Sequence, residues 1–170
     1  QSNMVGYVPS TELPPEFQVT QSDVRVYFEG SWGYLRPDLG KEGYCFGPEI
    51  TYGRDMADTF VNDRIALIKR AWAGTDLYEE WRPPLAGGTT GPLYTDFINT
   101  VNNALATIGE DYEVAGMIWM QGETDAKDNL TWAEAYEDNL TDFIASIRQD
   151  LNIPNLPFVI GQIKDSPKWL

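Results

Sequence analysis

Apolar residues along the chain recur with two periods. The short run Val24-Arg25-Val26-Tyr27-Phe28 reads as a strand, and Ile65 to Trp72 as a second. Met117-Ile118-Trp119-Met120, bounded by Gly116 and Gly122, suits a strand buried on both faces, and Pro157 to Ile163 another buried strand. Helical spacing appears after the turn Phe46-Gly47-Pro48-Glu49-Ile50, where Pro48 suits a first helical position and Arg54 to Val61 continue the pattern. Leu93, Phe97, Ile98, Val101, Leu105 and Ile108 form an apolar stripe that ends at Gly109. Thr131-Trp132-Ala133-Glu134 reads as a capping box opening a helix that buries Trp132, Tyr136, Leu140, Phe143, Ile144, Ile147 and Leu151. Val5 to Glu16, broken by three prolines, and the glycine- and aromatic-rich Ser31 to Tyr44 read as loop and surface excursion. Strands alternating with helices of about 15–20 residues imply right-handed βαβ crossovers, hence an α/β fold with a three-layer, flavodoxin-like parallel sheet in a single domain.

Composition narrows the possibilities. At 170 residues about two-thirds of the unfolded surface can be buried, so a real core is available. Apolar residues at 42% and charged residues at 22% are those of an ordinary globular domain, and no apolar run is long enough to span a bilayer. The formal charge of −14 repels phosphate backbones and anionic membranes, so neither nucleic acid nor a membrane is expected as partner. Acidic sugars meet the same repulsion, which favours neutral sugar esters but is screened within about 8 Å at physiological salt. One cysteine, Cys45, and no histidine leave no intrachain disulfide and no zinc-ligand set, so no metal or cofactor is expected.

The candidate chemistry gathers at the end of the strand over Met117–Met120. Ligands of open α/β sheets collect beyond the carboxyl ends of strands, where Gln121, Gly122, Glu123 and Asp125 would sit. The same residues also read as a tight polar turn, with Asp125 capping a loop. Trp32, Tyr34 and Tyr44 offer flat faces that could stack on a sugar ring or cap the core.

Two stretches together carry a resemblance. Gln1-Ser2-Asn3-Met4 and Trp119-Met120-Gln121-Gly122-Glu123 are similar to the SGNH (GDSL-like) hydrolase superfamily, in the branch of sialate O-acetylesterases and the acetylxylan esterases of carbohydrate esterase family six. In that branch a Gly-Gln-Ser-Asn-Met block carries the nucleophile and a Trp-x-Gln-Gly-Glu block follows a later strand. The Gly47-Pro48-Glu49 turn, the Ala73-Gly74-Thr75 turn and Trp81-Arg82-Pro83 also resemble the family, with Ala73 in place of a glycine. The resemblance implies the same flavodoxin-like architecture, a fragment lacking the strand before Ser2 and a closing Asp-x-x-His block, and an extracellular or periplasmic setting.

It also implies roles. Ser2 is the expected nucleophile, and its backbone N–H, that of Gly47 and the Gln121 side-chain amide are the expected oxyanion donors of a serine esterase that removes O-acetyl groups from carbohydrates through an acyl-enzyme. Glu123 either orients a histidine or bonds loop amides. With no histidine in the chain the base is missing, so a non-catalytic carbohydrate-binding relative stays open. A glycosidase is disfavoured, because Glu123 and Asp125 are too close along one loop to flank a glycosidic bond.

Overall fold

The computed structural model describes residues 2–163, apart from the side chains of Ser2, Asn3 and Asp128. In chain order the elements are α1 (Ser2–Val5), β1 (Val8–Pro9), β2 (Gln21–Phe28), β3 (Ser31–Leu35), β4 (Cys45–Phe46), α2 (Glu49–Thr59), β5 (Ile65–Ile68), α3 (Pro92–Thr107), β6 (Met117–Trp119), α4 (Glu123–Asp128), α5 (Leu130–Asp150) and β7 (Phe158–Ile160), with short 3-10 turns between. They group into two compact units, residues 1–73 with 100–109, and residues 74–99 with 110–170.

In the first unit β2 is central, paired antiparallel with β3 and parallel with β5. Val24 and Val26 alternate onto one face and are fully buried with Leu13, Leu35, Leu39 and Ile50, as expected of a β-branched strand with one face on a core. Helix α2 lies over β2, β3 and β5. A separate antiparallel pair, β1 with β4, holds the buried thiol of Cys45. Trp32 donates its indole N–H to the Ala104 carbonyl at 3.2 Å and meets Tyr27 edge-on at 5.3 Å, so it caps the core.

In the second unit β6 and β7 pair in parallel. Its core is aromatic: Trp119 lies 4.3 Å from Phe143 and 5.3 Å from Trp81, centroid to centroid. Edge-on and tilted contacts of this kind suit ring quadrupoles better than face-to-face packing. Helix α5 lies against α4 and the turn Pro84–Ala86.

β2 with β5 and β6 with β7 pair in parallel, but in place of the one parallel sheet expected the strands among the described residues form three separate sheets, with antiparallel pairs in two of them. Ser31–Leu35, expected as a surface excursion, is a strand, since β2 supplies it with a hairpin partner through Glu29-Gly30 at positive φ. The turn expected after Gly122 is helix α4. In α3 the buried stripe is Tyr94, Phe97, Val101 and Ala104, rotated from the expected one toward a small residue that allows close approach. Asn129, not Thr131, caps α5, its side-chain oxygen accepting from the Thr131 N–H at 2.9 Å. β7 is not buried: Val159 and Ile160 are exposed.

Candidate active site

The expected site residues fall into both units, and the structure defines each set within its own. Ser2 and Gly47 belong to the first unit, Gln121 and Glu123 to the second.

In the first unit Ser2 opens α1; its side chain lies outside the described residues. The end of that helix is tied to the Gly47-Pro48-Glu49 turn. Lys69, at the end of β5, makes a buried ion pair with Glu49 at 2.8 Å and also donates to the carbonyls of Val5 at 3.0 Å and Leu39 at 2.9 Å. All three ammonium protons thus have acceptors, the condition under which a buried lysine stays compatible with a folded state. Burial pushes the Lys69 ammonium down, and the Glu49 carboxylate opposes that shift. Glu49 accepts in addition from the Gly47 N–H at 3.0 Å. Gly47 leaves room for this pair: a Cβ there would stand 2.6 Å from the Glu49 carboxylate, which would have to shift, and 3.0 Å from the Met4 carbonyl. Ser2's helix and Gly47 are therefore brought together, and the Gly47 N–H is engaged by a carboxylate.

In the second unit Gln121 is buried just after β6. Its amide nitrogen donates to the Thr75 carbonyl at 2.9 Å and to Asp125 at 2.6 Å, so both N–H bonds are used. Two acceptors facing one atom identify it as the nitrogen. The amide oxygen, buried, has no hydrogen-bond partner among the described residues. Asp125, fully buried, accepts from the Leu77 N–H with both oxygens at 3.1 and 3.0 Å and from the Tyr78 N–H at 3.1 Å. It does cap a loop, but one 47 to 48 residues away in sequence. Burial holds its carboxyl above the usual carboxylate range, against the lowering effect of the Gln121 bond. Gly122 has φ +143°, and a Cβ there would meet Tyr136 at 3.2 Å. That close approach lets the Tyr136 hydroxyl donate to the Gln121 carbonyl, while the Trp119 indole N–H points at the same hydroxyl from 3.4 Å. Burial pushes the Tyr136 phenol up to about 12. Glu123 is the half-buried first residue of α4.

The sequence alone does not reveal the Lys69–Glu49 pair or the hold of Asp125 on the Leu77 and Tyr78 N–H groups. Only the first left a signal, a lysine closing an apolar strand. Of the aromatics considered for sugar stacking, Trp32 is committed to the core, and Tyr34 and Tyr44 are exposed. No cluster of metal-binding side chains exists among the described residues, nor does any described helix have the length and apolarity to cross a membrane.

The chain is 27% identical to the "Probable carbohydrate esterase At4g34215" of Arabidopsis thaliana over 94% of its own length. It spans 64% of that relative's length. The X-ray structure of the Arabidopsis thaliana AT4G34215 protein superposes with a TM-score of 0.76 at 21% identity, covering 94% of this chain and 69% of that one. A match of that quality at such identity establishes a shared mixed α/β fold. The family model described as "Carbohydrate esterase, sialic acid-specific acetylesterase" matches residues 1–169, and the chain therefore belongs to that carbohydrate esterase family.

Proposed function

We propose that the chain carries the nucleophile and oxyanion donors of a serine O-acetylesterase acting on acetylated carbohydrates. The observation that carries this reading is the family match over residues 1–169, which includes both the Ser2 block and the Gln121-Gly122-Glu123 block. In it the chain is one domain of three-layer, flavodoxin-like type. The Ser2 hydroxyl attacks the acetyl carbonyl and its proton passes to a base, which returns it to the sugar oxygen as the alcohol leaves and the acyl-enzyme forms; water then releases acetate and restores the Ser2 hydroxyl. The base is not a histidine of these 170 residues, since they contain none. Gln121 acts as oxyanion donor by sharing an N–H now given to Thr75 or Asp125, and Gly47 by releasing or sharing its bond to Glu49. The net charge of −14 supports neutral sugar esters and opposes nucleic-acid and membrane partners.

The experiment is hydrolysis of p-nitrophenyl acetate and acetylated xylose by a protein that joins this chain to a histidine-bearing C-terminal block. Ser2→Ala should abolish turnover, and Gln121→Ala should lower kcat by roughly 10²–10³ with KM little changed. A Ser2→Ala protein as active as its parent overturns the reading. If Gln121→Ala lowers the melting temperature and spares kcat, Gln121 belongs to the Thr75–Asp125 network and not to the oxyanion hole. The absence of histidine favours a second reading, a carbohydrate-binding relative without turnover, which predicts sugar binding in the chain and no Ser2-dependent cleavage in the joined protein.

A further inference from the structure

One buried cation joins the two stretches of the first unit that carry the expected Ser2 and Gly47 roles. Lys69 directly follows β5, and its backbone N–H donates to the Tyr27 carbonyl at 3.0 Å, which fixes its Cα to the sheet. Its side chain, 8% exposed, reaches the Val5 carbonyl at the end of α1, the Leu39 carbonyl and Oε1 of Glu49. The same Oε1 accepts the Gly47 N–H at 3.0 Å. A Cβ on Gly47 would stand 3.3 Å from the Lys69 ammonium, so the cation also lies beside the turn itself. The proposed oxyanion donor is thus bonded to a buried anion, and that anion to a buried cation.

We propose that Lys69 is a positioning residue for ester cleavage, whose charge neutralises Glu49 so that an oxyanion can form at the Gly47 N–H. This rests on the serine-esterase reading above and adds to it the group that makes its oxyanion site usable. Two acceptors that share one N–H at about 3 Å each stand within about 6 Å of one another. An oxyanion at Gly47 is therefore a close neighbour of the Glu49 carboxylate, and in buried surroundings two such charges repel strongly. Lys69, 2.8 Å from that carboxylate, offsets the repulsion and competes for the oxygen that the Gly47 N–H must leave or share. The carbonyl of a bound ester is neutral and acquires charge only in the transition state, so the effect falls on kcat and spares KM. The bond to Val5 adds a second constraint, since it ties the helix that begins at Ser2 to the same ammonium.

The test uses the joined protein described above, with each variant assayed well below its melting temperature. Lys69→Met should lower kcat for p-nitrophenyl acetate by roughly 10²-fold, the scale of losing one oxyanion donor, with KM little changed. Adding Glu49→Gln to Lys69→Met removes the stranded charge yet keeps an acceptor for the Gly47 N–H, and kcat should recover by about tenfold or more. Methylboronic acid separates charge from fold: the Ser2 oxygen adds to boron, its proton passes to the base, and boron becomes tetrahedral and negative. Its affinity should fall in Lys69→Met in step with kcat, while that of acetamide, a neutral isostere of the acetyl group, should hold. Where Lys69→Met does not fold, Lys69→Gln, which keeps two N–H donors without the charge, carries the same comparison. An unchanged kcat in Lys69→Met overturns the proposal, as does equal weakening of boronic acid and acetamide, the mark of a merely structural role. Methylboronic acid that binds Ser2→Ala as tightly as the parent overturns the serine reading as well, whereas Ser2-dependent binding indifferent to Lys69 overturns this proposal alone.

Discussion

At the scale of single residues, two of the buried carboxylates, Glu49 and Asp125, do the organising. Asp125 gathers three N–H groups, from Leu77, Tyr78 and Gln121. In Asp125→Asn the new amide turns two of its own hydrogens toward those donors, and the loss should be about 2–4 kcal/mol in urea unfolding. The pH dependence has a definite sign. Because burial raises the folded carboxyl above its unfolded value, the stability it contributes is full below the ordinary carboxylate pKa and is lost as pH rises through the raised folded value. The gap between parent and Asp125→Asn should accordingly narrow from about pH 4 to pH 7, and a gap that widens over that range contradicts the assignment. The Lys69–Glu49 pair behaves differently, because its two charges compensate each other. Lys69→Met strands a buried carboxylate and should cost about 3–5 kcal/mol, whereas Lys69→Met combined with Glu49→Leu should recover most of that. Equal losses in the single and double variants would show that the two side chains are not coupled.

At the scale of elements, the helices answer to local chemistry and the strands to their partners. Helix α5 starts at Asn129 because its side chain satisfies the Thr131 N–H, one of the donors left over at a helix start. Asn129→Ala should cost about 1 kcal/mol, read as a fall in melting temperature, while Thr131→Ala, whose hydroxyl does not cap, should cost less. Strand β6 extends only from Met117 to Trp119, so Met120 separates the strand end from Gln121, the first polar residue. Its partner β7 is paired through the backbone yet leaves Val159 and Ile160 exposed. Pairing and burial are separate properties of a strand, and alternation in sequence reports only the second.

At the scale of the whole molecule, the acidic excess is the feature most open to measurement. A charge of −14 on 170 residues makes the folded state repel itself. Raising sodium chloride from about 50 to about 500 mM should therefore raise the melting temperature by a few degrees, since the Debye length falls well below the spacing of surface charges. A melting temperature that drops steadily with salt would mean that favourable ion pairs, such as Arg54 with Asp23 and Asp58, outweigh the repulsion. Those pairs are largely exposed on the carboxylate side, and each contributes little by itself.

Strands β2, β5 and β6 and helices α2, α3 and α5 are legible in the residue order to within a few residues, because each rests on a local period or a proline near its start. Two short blocks of specific residue types also point to the carbohydrate esterase family, though not to its acetylxylan branch. What depends on distant neighbours is set by packing. The pairing that turns Ser31–Leu35 into a strand comes from β2, and the face that α3 buries is chosen by what packs against it. The roles of the polar side chains belong to the same class. Nothing near Asp125 in sequence reveals that its acceptors serve Leu77 and Tyr78, or that both N–H bonds of Gln121 are given to Thr75 and Asp125. A buried polar atom takes its partner from whatever the fold brings within about 3 Å, and that proximity is set by packing, not by order along the chain.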